Sequence, residues 1–246
     1  MNNPFTLSGK TILVTGASAG IGRGIAIACA GMGAQVILTA RNTERLQETL
    51  ALLEGEGHTY IVADLTSEAE RNALVQQLPM LDGVVQSAGV GSRVPCKMLS
   101  QDDIDRVMKP NAEAPMLLQA QLLSEKKIKK QASLVYIASA ATTMPSAGNA
   151  VYSASKAALV AYAKCLAQEL APRQIRVNCI SPTMVWTDLA LVGATAEQLK
   201  EAEQFYPLKR YGQPEDIANL AIYLLSDASA WMTGSNIEIT GGSQIL

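Results

Sequence analysis

Thr11-Ile12-Leu13-Val14-Thr15 runs straight into Gly16-Ala17-Ser18-Ala19-Gly20-Ile21-Gly22, and this stretch decides the fold. Its first five residues, largely apolar and β-branched, predict a strand buried on both faces, and the apolar spacing over 21–31 predicts a helix. Glycines between the two permit a tight turn and let a ligand oxygen approach the backbone closely. A strand turning directly into a helix aims backbone N–H groups and the positive end of the helix dipole at one point, as a pyrophosphate site requires. The spacing is G-x-x-x-G-x-G rather than the commoner G-x-G-x-x-G.

Outward from this unit, strand-like runs recur at 35–39, 60–63, 83–85, 134–137, 175–180 and 236–239. They alternate with helical periods over 43–54, 67–78, 151–170 and 214–226. Ser67 with Glu70 suggests a capping box, and Pro214 followed by Glu215 and Asp216 suits a first helical turn. Such alternation implies right-handed βαβ units. The expected fold is a single-domain α/β Rossmann fold over 1–246, a doubly wound, mostly seven-stranded parallel sheet with helices on both faces. Residues 157–163 are apolar on every side of their helix, so burial against a second copy is expected, in a homodimer or homotetramer.

Composition narrows the function. The 246 residues are 48% hydrophobic and 17% charged, with a net charge of −2, which argues against a nucleic-acid partner. Residues 1–6 lack the basic-then-apolar order of a signal peptide, and no uncharged stretch reads as a membrane span, so a cytoplasmic protein without a membrane partner is expected. Cys29, Cys96, Cys165 and Cys179 are scattered and His58 is the only histidine. Neither a disulfide frame nor a metal site is expected, and a hydrolase of the Ser-His or Cys-His kind would depend on His58 alone, read here as a surface residue.

A dinucleotide site usually carries an acid near the end of its second strand, for the adenosine ribose hydroxyls. Here that strand ends Thr39-Ala40-Arg41-Asn42. The Arg41 guanidinium can pair with a 2′-phosphate that a carboxylate would repel, which favours NADP(H) over NAD. Tyr152 and Lys156, four apart, project from one helix face. A fixed ammonium stabilises a nearby phenolate and lowers its pKa, so the pair can exchange a proton with an alcohol or ketone oxygen. Ser139 stands just past the strand at 134–137, at the carboxyl end where open α/β sheets bind ligands, and could hydrogen-bond the same oxygen.

Taken together, these residues resemble the short-chain dehydrogenase/reductase family over almost the whole chain. Residues 15–22 match its cofactor loop, Asp64 its adenine-contacting aspartate, and Asn111, Ser139, Tyr152 and Lys156 its catalytic tetrad in order and spacing. The resemblance implies hydride transfer between a nicotinamide and a carbonyl or alcohol carbon. It makes Tyr152 the acid/base, Lys156 the group that lowers its pKa and holds the nicotinamide ribose, Ser139 the orienter of the substrate oxygen, and Asn111 the anchor of a water in a proton relay. Residues 181–187 correspond to the family's Pro-Gly segment. The implied cofactor contacts are Gly16, Ser18, Ala19, Gly20, Ile21, Gly22, Arg41, Asn42, Asp64, Leu65, Ser87, Ala88, Gly89, Tyr152, Lys156, Pro182, Val185 and Thr187.

Three positions depart from the family pattern. Ser87 replaces the asparagine of Asn-Ala-Gly, so that residue's structural hydrogen bonds need a substitute. Thr183 replaces the glycine of Pro-Gly, adding a side chain on the substrate side. Ala19 stands where many NADP-dependent relatives carry Lys or Arg, leaving Arg41 to argue for NADP(H).

Within the family, the length and the Asn236-Ile-Glu-Ile-Thr-Gly-Gly242 ending look most like the 3-oxoacyl carrier-protein reductase and sugar or polyol dehydrogenase branches. Lys126, Lys127, Lys129, Lys130 and Arg173 could form a docking patch for an acidic acyl carrier protein, or simply the solvated end of a helix. Leu189, Leu191, Val192, Phe205 and Tyr206 offer an apolar lid over 187–207. The expected activity is NADPH-dependent reduction of a ketone or 3-oxoacyl thioester. Oxidation of a polyol or hydroxysteroid and a non-catalytic NADP-binding regulatory role stay open as alternatives.

Overall fold

All seven β-branched runs form strands: β1 (Thr11–Thr15), β2 (Gln35–Ala40), β3 (Thr59–Val62), β4 (Leu81–Gln86), β5 (Ile128–Ile137), β6 (Arg176–Pro182) and β7 (Asn236–Ile239). The computed structural model describes residues 3–191 and 195–243. The strands make one parallel sheet in the order β3-β2-β1-β4-β5-β6-β7, the expected doubly wound Rossmann arrangement. Chain direction across the sheet reverses between β1 and β4, so a crevice opens beyond their carboxyl ends, where such sheets take ligands.

The sheet buries both faces. Ile12 and Val14 of β1 point into one core with α1 (Gly20–Gly31) and α8 (Pro214–Leu225). Leu13 points into the other, with α3 (Glu68–Gln77), α5 (Ala114–Ser124) and α6 (Ala150–Leu170). Continuously apolar strands follow from this two-sided burial.

Several elements extend or correct the sequence expectation. β5 begins at Ile128 rather than 134, because Lys129, Lys130 and Gln131 hide a strand start that is broken by a register shift between Leu81 and Gly83 of its partner. Gln131 takes φ 63° there, the left-handed backbone of a bulge. Also unread were α4 (Gln101–Met108), a π-helical turn (Lys109–Glu113) leading into α5, and α7 (Ala196–Glu203). Ser67 does cap α3 through the Glu70 N–H at 3.4 Å, but the Glu70 carboxylate accepts from the Asp64 N–H at 2.8 Å instead of closing the box. α2 spans Thr43–Ala51, three residues short of the expected end.

His58 is more than a surface residue. It is half-buried, its Nδ1 accepts from the Val36 N–H at 3.1 Å, and its Nε2 lies 2.9 Å from the Glu54 carbonyl. Those partners assign the Nε2–H tautomer, and the ring ties the loop before β3 to β2.

Candidate active site

The glycine loop is shaped by contacts that admit no side chain. Gly16 has φ +64°, and a Cβ there would lie 2.8 Å from the Ala88 backbone; a Cβ on Gly22 would run into the Gly16 carbonyl. The loop therefore lies directly on the chain leaving β4. Thr15 joins the two: its Oγ1 accepts from the Ser87 N–H at 3.0 Å and the Ala88 N–H at 3.1 Å. Gln86 continues the brace, its Oε1 3.5 Å from Thr15 Oγ1 and its Nε2 donating to the Pro115 carbonyl at 3.4 Å. Thr15 and Gln86 thus supply bracing across β1 and β4 that Ser87 cannot offer as the family asparagine would. Thr15 opens the matched loop, but the bracing role of neither residue is readable from sequence, because a threonine or glutamine ending a strand gives no local signal of its partner.

Side chains cap α2, α3, α4 and α7, through Asn42, Ser67, Ser100 and Thr195. At the start of α1 the capping position is Ala19, which has no side-chain acceptor, and the first turn holds no acid. Its N–H groups are left to an anion from outside the chain. Ser18, Ala19, Gly20, Ile21 and Gly22 all stand at this point. A cradle that a Cβ would fill and a helix start without a cap fit the diphosphate of a nicotinamide dinucleotide.

At the adenosine end, Arg41 is exposed and its Nη1 lies 3.9 Å from Asp64 Oδ2. Burial pushes the Asp64 carboxyl up, but hydrogen bonds from the Thr66 backbone and hydroxyl, together with Arg41, outweigh it and hold the group below its ordinary range. Asn42 accepts from the Arg45 N–H at 2.7 Å, so it also builds α2. Leu65 is buried, and its carbonyl accepts from Arg71 at 2.7 Å.

The proton-transfer groups gather at the carboxyl end of β5. Ser139 follows the strand, and its Oγ accepts from the Ala141 N–H at 3.1 Å. Lys156, only 5% exposed, donates to the Ile137 carbonyl at 2.9 Å and sits 5.9 Å from the centre of the Tyr152 ring. Asn111 is fully buried in the π turn. Its Oδ1 accepts from the Val90 N–H at 2.7 Å, and its Nδ2 donates to the Val90 carbonyl at 2.9 Å and to Ser155 Oγ at 3.1 Å. Pro110 lacks an N–H and crowds the preceding turn, which favours the wider helical turn at this point. Gly89 completes the cluster: a Cβ there would be 3.1 Å from Asn111 Oδ1 and 3.3 Å from Lys156 Nζ.

Burial raises the Tyr152 phenol above its ordinary value, and only the Ser139 hydroxyl acts against it. Burial also brings the Lys156 ammonium down from 10.5 to about 8. Because the folded chain releases this proton before the unfolded one does, stability should rise with pH between about 8 and 10.5. Lys156→Met should lose that rise, seen as a urea midpoint that stays level over this pH range while that of the parent climbs.

The segment after β6 closes the other side. Pro182 ends β6, Val185 pairs with Gly212, and a Cβ on Gly20 would lie 3.0 Å from Thr187 Cγ2. The Thr183 hydroxyl donates to the Thr240 carbonyl at 3.2 Å, which draws the extra side chain toward the end of β7. Of the expected lid, Leu189, Leu191 and Phe205 are exposed, and Tyr206 packs edge-on against Tyr211 with ring centres 4.9 Å apart; Val192 lies outside the described residues.

The remaining candidates lie elsewhere. Of Lys126, Lys127, Lys129, Lys130 and Arg173, the first two close the carboxyl end of α5, their N–H groups donating to the Leu123 and Leu122 carbonyls, and Arg173 ends the turn that follows α6. Lys129 and Lys130 begin β5, Lys129 pairs with Asp82 at 2.7 Å, Lys127 donates to the Leu78 carbonyl, and Arg173 donates to the Ile128 carbonyl. Ten strand residues, about 30 Å, separate them from Ser139. A cavity of about 290 Å³ around Lys10, Gln35 and His58 is likewise at the amino ends of the strands. Burial pushes the Cys29 and Cys179 thiols up to about 12, so neither is a ready nucleophile. Among the described residues no helix is long and apolar enough to cross a membrane.

Comparison with known proteins bears on this geometry. The family model described as enoyl-(acyl carrier protein) reductase matches residues 16–244. The chain is 35% identical over 245 residues to an L-xylulose reductase of Caenorhabditis elegans, covering 97% of both chains. It is 33% identical over 237 residues to a 3-oxoacyl-(acyl-carrier-protein) reductase of Rickettsia felis, covering 96% of this chain and 97% of that one. A crystal structure of a short-chain type dehydrogenase/reductase from Mycobacterium marinum superimposes with TM-score 0.89 at 33% identity, covering 97% of each.

Proposed function

The chain belongs to the short-chain dehydrogenase/reductase family, oxidoreductases that act on CH–OH and C=O groups with NAD(P)(H), and from that premise we propose that it reduces a ketone with NADPH. Its main support is the grouping of the Tyr152 phenol with Ser139 and Lys156 at the carboxyl end of the sheet. When bound, NADPH supplies the hydride taken up by the carbonyl carbon. Ser139 and Tyr152 together orient the carbonyl oxygen, and Tyr152 donates its proton to that oxygen as the C–H bond forms. Lys156 then stabilises the phenolate and passes it a proton, regained from solvent, while Asn111 fixes the Val90 backbone and the Ser155 hydroxyl beside the relay. Arg41, in place of an acid after β2, supports the phosphorylated cofactor.

A 3-oxoacyl thioester is the favoured substrate, supported by the similarity to the Rickettsia felis reductase and by the apolar Leu189 and Leu191 beside the crevice. A carrier protein would have to approach from this side, since the lysine cluster is at the far end of the sheet. A second reading, reduction of a ketose, draws on the comparable similarity to the L-xylulose reductase. The test is cofactor consumption with NADPH and NADH in parallel, offering a short 3-oxoacyl thioester and L-xylulose. Turnover of the thioester with NADPH is expected; turnover of L-xylulose alone would transfer the assignment to the sugar. Equal use of NADH would undo the role given to Arg41. We further infer a cytoplasmic homodimer or homotetramer, for which the exposed Ala157 and Ala161 of α6 offer a close-packing face.

A further inference from the structure

Arg45, in the first turn of α2, leaves that helix to reach Asp188, 143 residues away in sequence; its Nη1 lies 3.0 Å from Asp188 Oδ2. The residues on either side of Asp188 fix where this contact occurs. Thr187 abuts Gly20 of the glycine loop, and Leu189 Cδ1 would be 3.0 Å from a Cβ on Gly91, in the loop after β4. Three successive residues therefore touch three elements that border the crevice. A cavity of about 250 Å³ lies beside them, lined by Gly20, Arg23, Thr187 and Asp188.

The arginines at this end of the sheet differ in how firmly they are held. Arg23 is committed: it donates to the Ser18 carbonyl at 2.6 Å and to Thr49 Oγ1 at 2.9 Å, and pairs with Glu48 at 3.1 Å, bracing the glycine loop against α2. Arg45 and Asp188 are 52% and 72% exposed and make one ion pair, the kind that water and salt weaken most. Arg41 holds Asp64 more loosely still, at 3.9 Å. A guanidinium exchanges a single exposed carboxylate readily for a phosphate dianion, which it can bind through two parallel hydrogen bonds.

We propose that Arg45 is a second determinant of cofactor choice, a 2′-phosphate ligand that Asp188 holds until NADPH displaces it. This extends the NADPH assignment above and depends on it. Arg45 supplies the second cation that Ala19 does not. Asp188 is a positioning residue with a cost: it holds the guanidinium next to the segment that abuts the glycine loop but competes with the phosphate for it.

The sign of that competition gives the test, the NADPH-to-NADH ratio of binding affinity, read by cofactor fluorescence titration of the full-length protein without substrate, with the same ratio of kcat/KM measured beside it. Arg45→Gln should lower the ratio about tenfold, the loss of one charge-assisted contact. Asp188→Asn should raise it about threefold, and in the Arg45→Gln background it should have no effect, since the competition has no object left. A parallel loss with both cofactors would put Arg45 on the shared diphosphate and overturn the proposal. So would a gain from Asp188→Asn that survives in the double variant, which would be plain repulsion. Arg41→Gln separates the two levels: if it leaves the ratio unchanged, the NADPH assignment itself fails, whereas a fall with Arg41→Gln and none with Arg45→Gln rejects Arg45 alone.

Discussion

Tyr152→Phe is expected to bind cofactor with nearly unchanged affinity and to lose about 10²–10⁴-fold in kcat, the range for removing a positioned general acid. The substitution deletes only the phenol oxygen. The ring keeps its place in α6, Lys156 keeps its bond to the Ile137 carbonyl, and the glycine loop is untouched. Cofactor fluorescence titration and steady-state turnover, measured on the same preparation, separate the two effects. Ser139→Ala should fall between the variant and the parent, because it removes an orienting hydroxyl but leaves the proton donor in place. Turnover at the parental rate in Tyr152→Phe would take Tyr152 out of the reaction.

Gly22→Ala should be nearly as damaging by a different route. The new methyl meets the Gly16 carbonyl and the Thr15 carbonyl, backbone on both sides, so no flexible group can yield. Either α1 moves off the loop or the loop moves off Ala88. Overpacking of this kind costs about 1–3 kcal/mol of stability, and a shift of roughly 1 Å at the anion site costs about 10²-fold in productive binding. The expected result is a lowered urea midpoint with cofactor titration displaced far to higher concentration. A variant with unchanged affinity would mean that the loop reshapes without loss.

Much of this was legible in the sequence because parallel strands buried on both faces leave an unbroken apolar signature. β1, β6 and β7 lie where their β-branched residues put them, and Tyr152 and Lys156 announce themselves by helical spacing. What stayed hidden depends on partners distant in the chain. β5 starts with two lysines and a bulge, which read as polar loop until Leu81 is seen pairing with Ile128. The segment 101–124 carries two prolines, Pro110 and Pro115, normally signs of termination, and only the packing of Asn111 against Val90 and Ser155 explains why the helix continues. Thr15 and Gln86, which take over from the asparagine missing at Ser87, are ordinary strand residues until β1 and β4 lie side by side. Spacing alone places Lys156 beside Tyr152, but its burial and its bond to the Ile137 carbonyl appear only in the fold.

The π turn at Lys109–Glu113 can also be regarded as a phase shift. With about 100° of rotation per helical residue, one residue accommodated in the wide turn changes which direction everything after it faces. Upstream of the shift, Val107 meets the core and Asn111 reaches the chemistry; downstream, Leu118 and Leu122 still fall on the hydrophobic side. Removing a single residue from the turn would heal the hydrogen-bond ladder into regular α-helix and rotate one half against the other. The protein would then keep its Asn111 contacts or its Leu118 and Leu122 packing, but not both, so a deletion that improves local helix geometry should be the one this helix tolerates least.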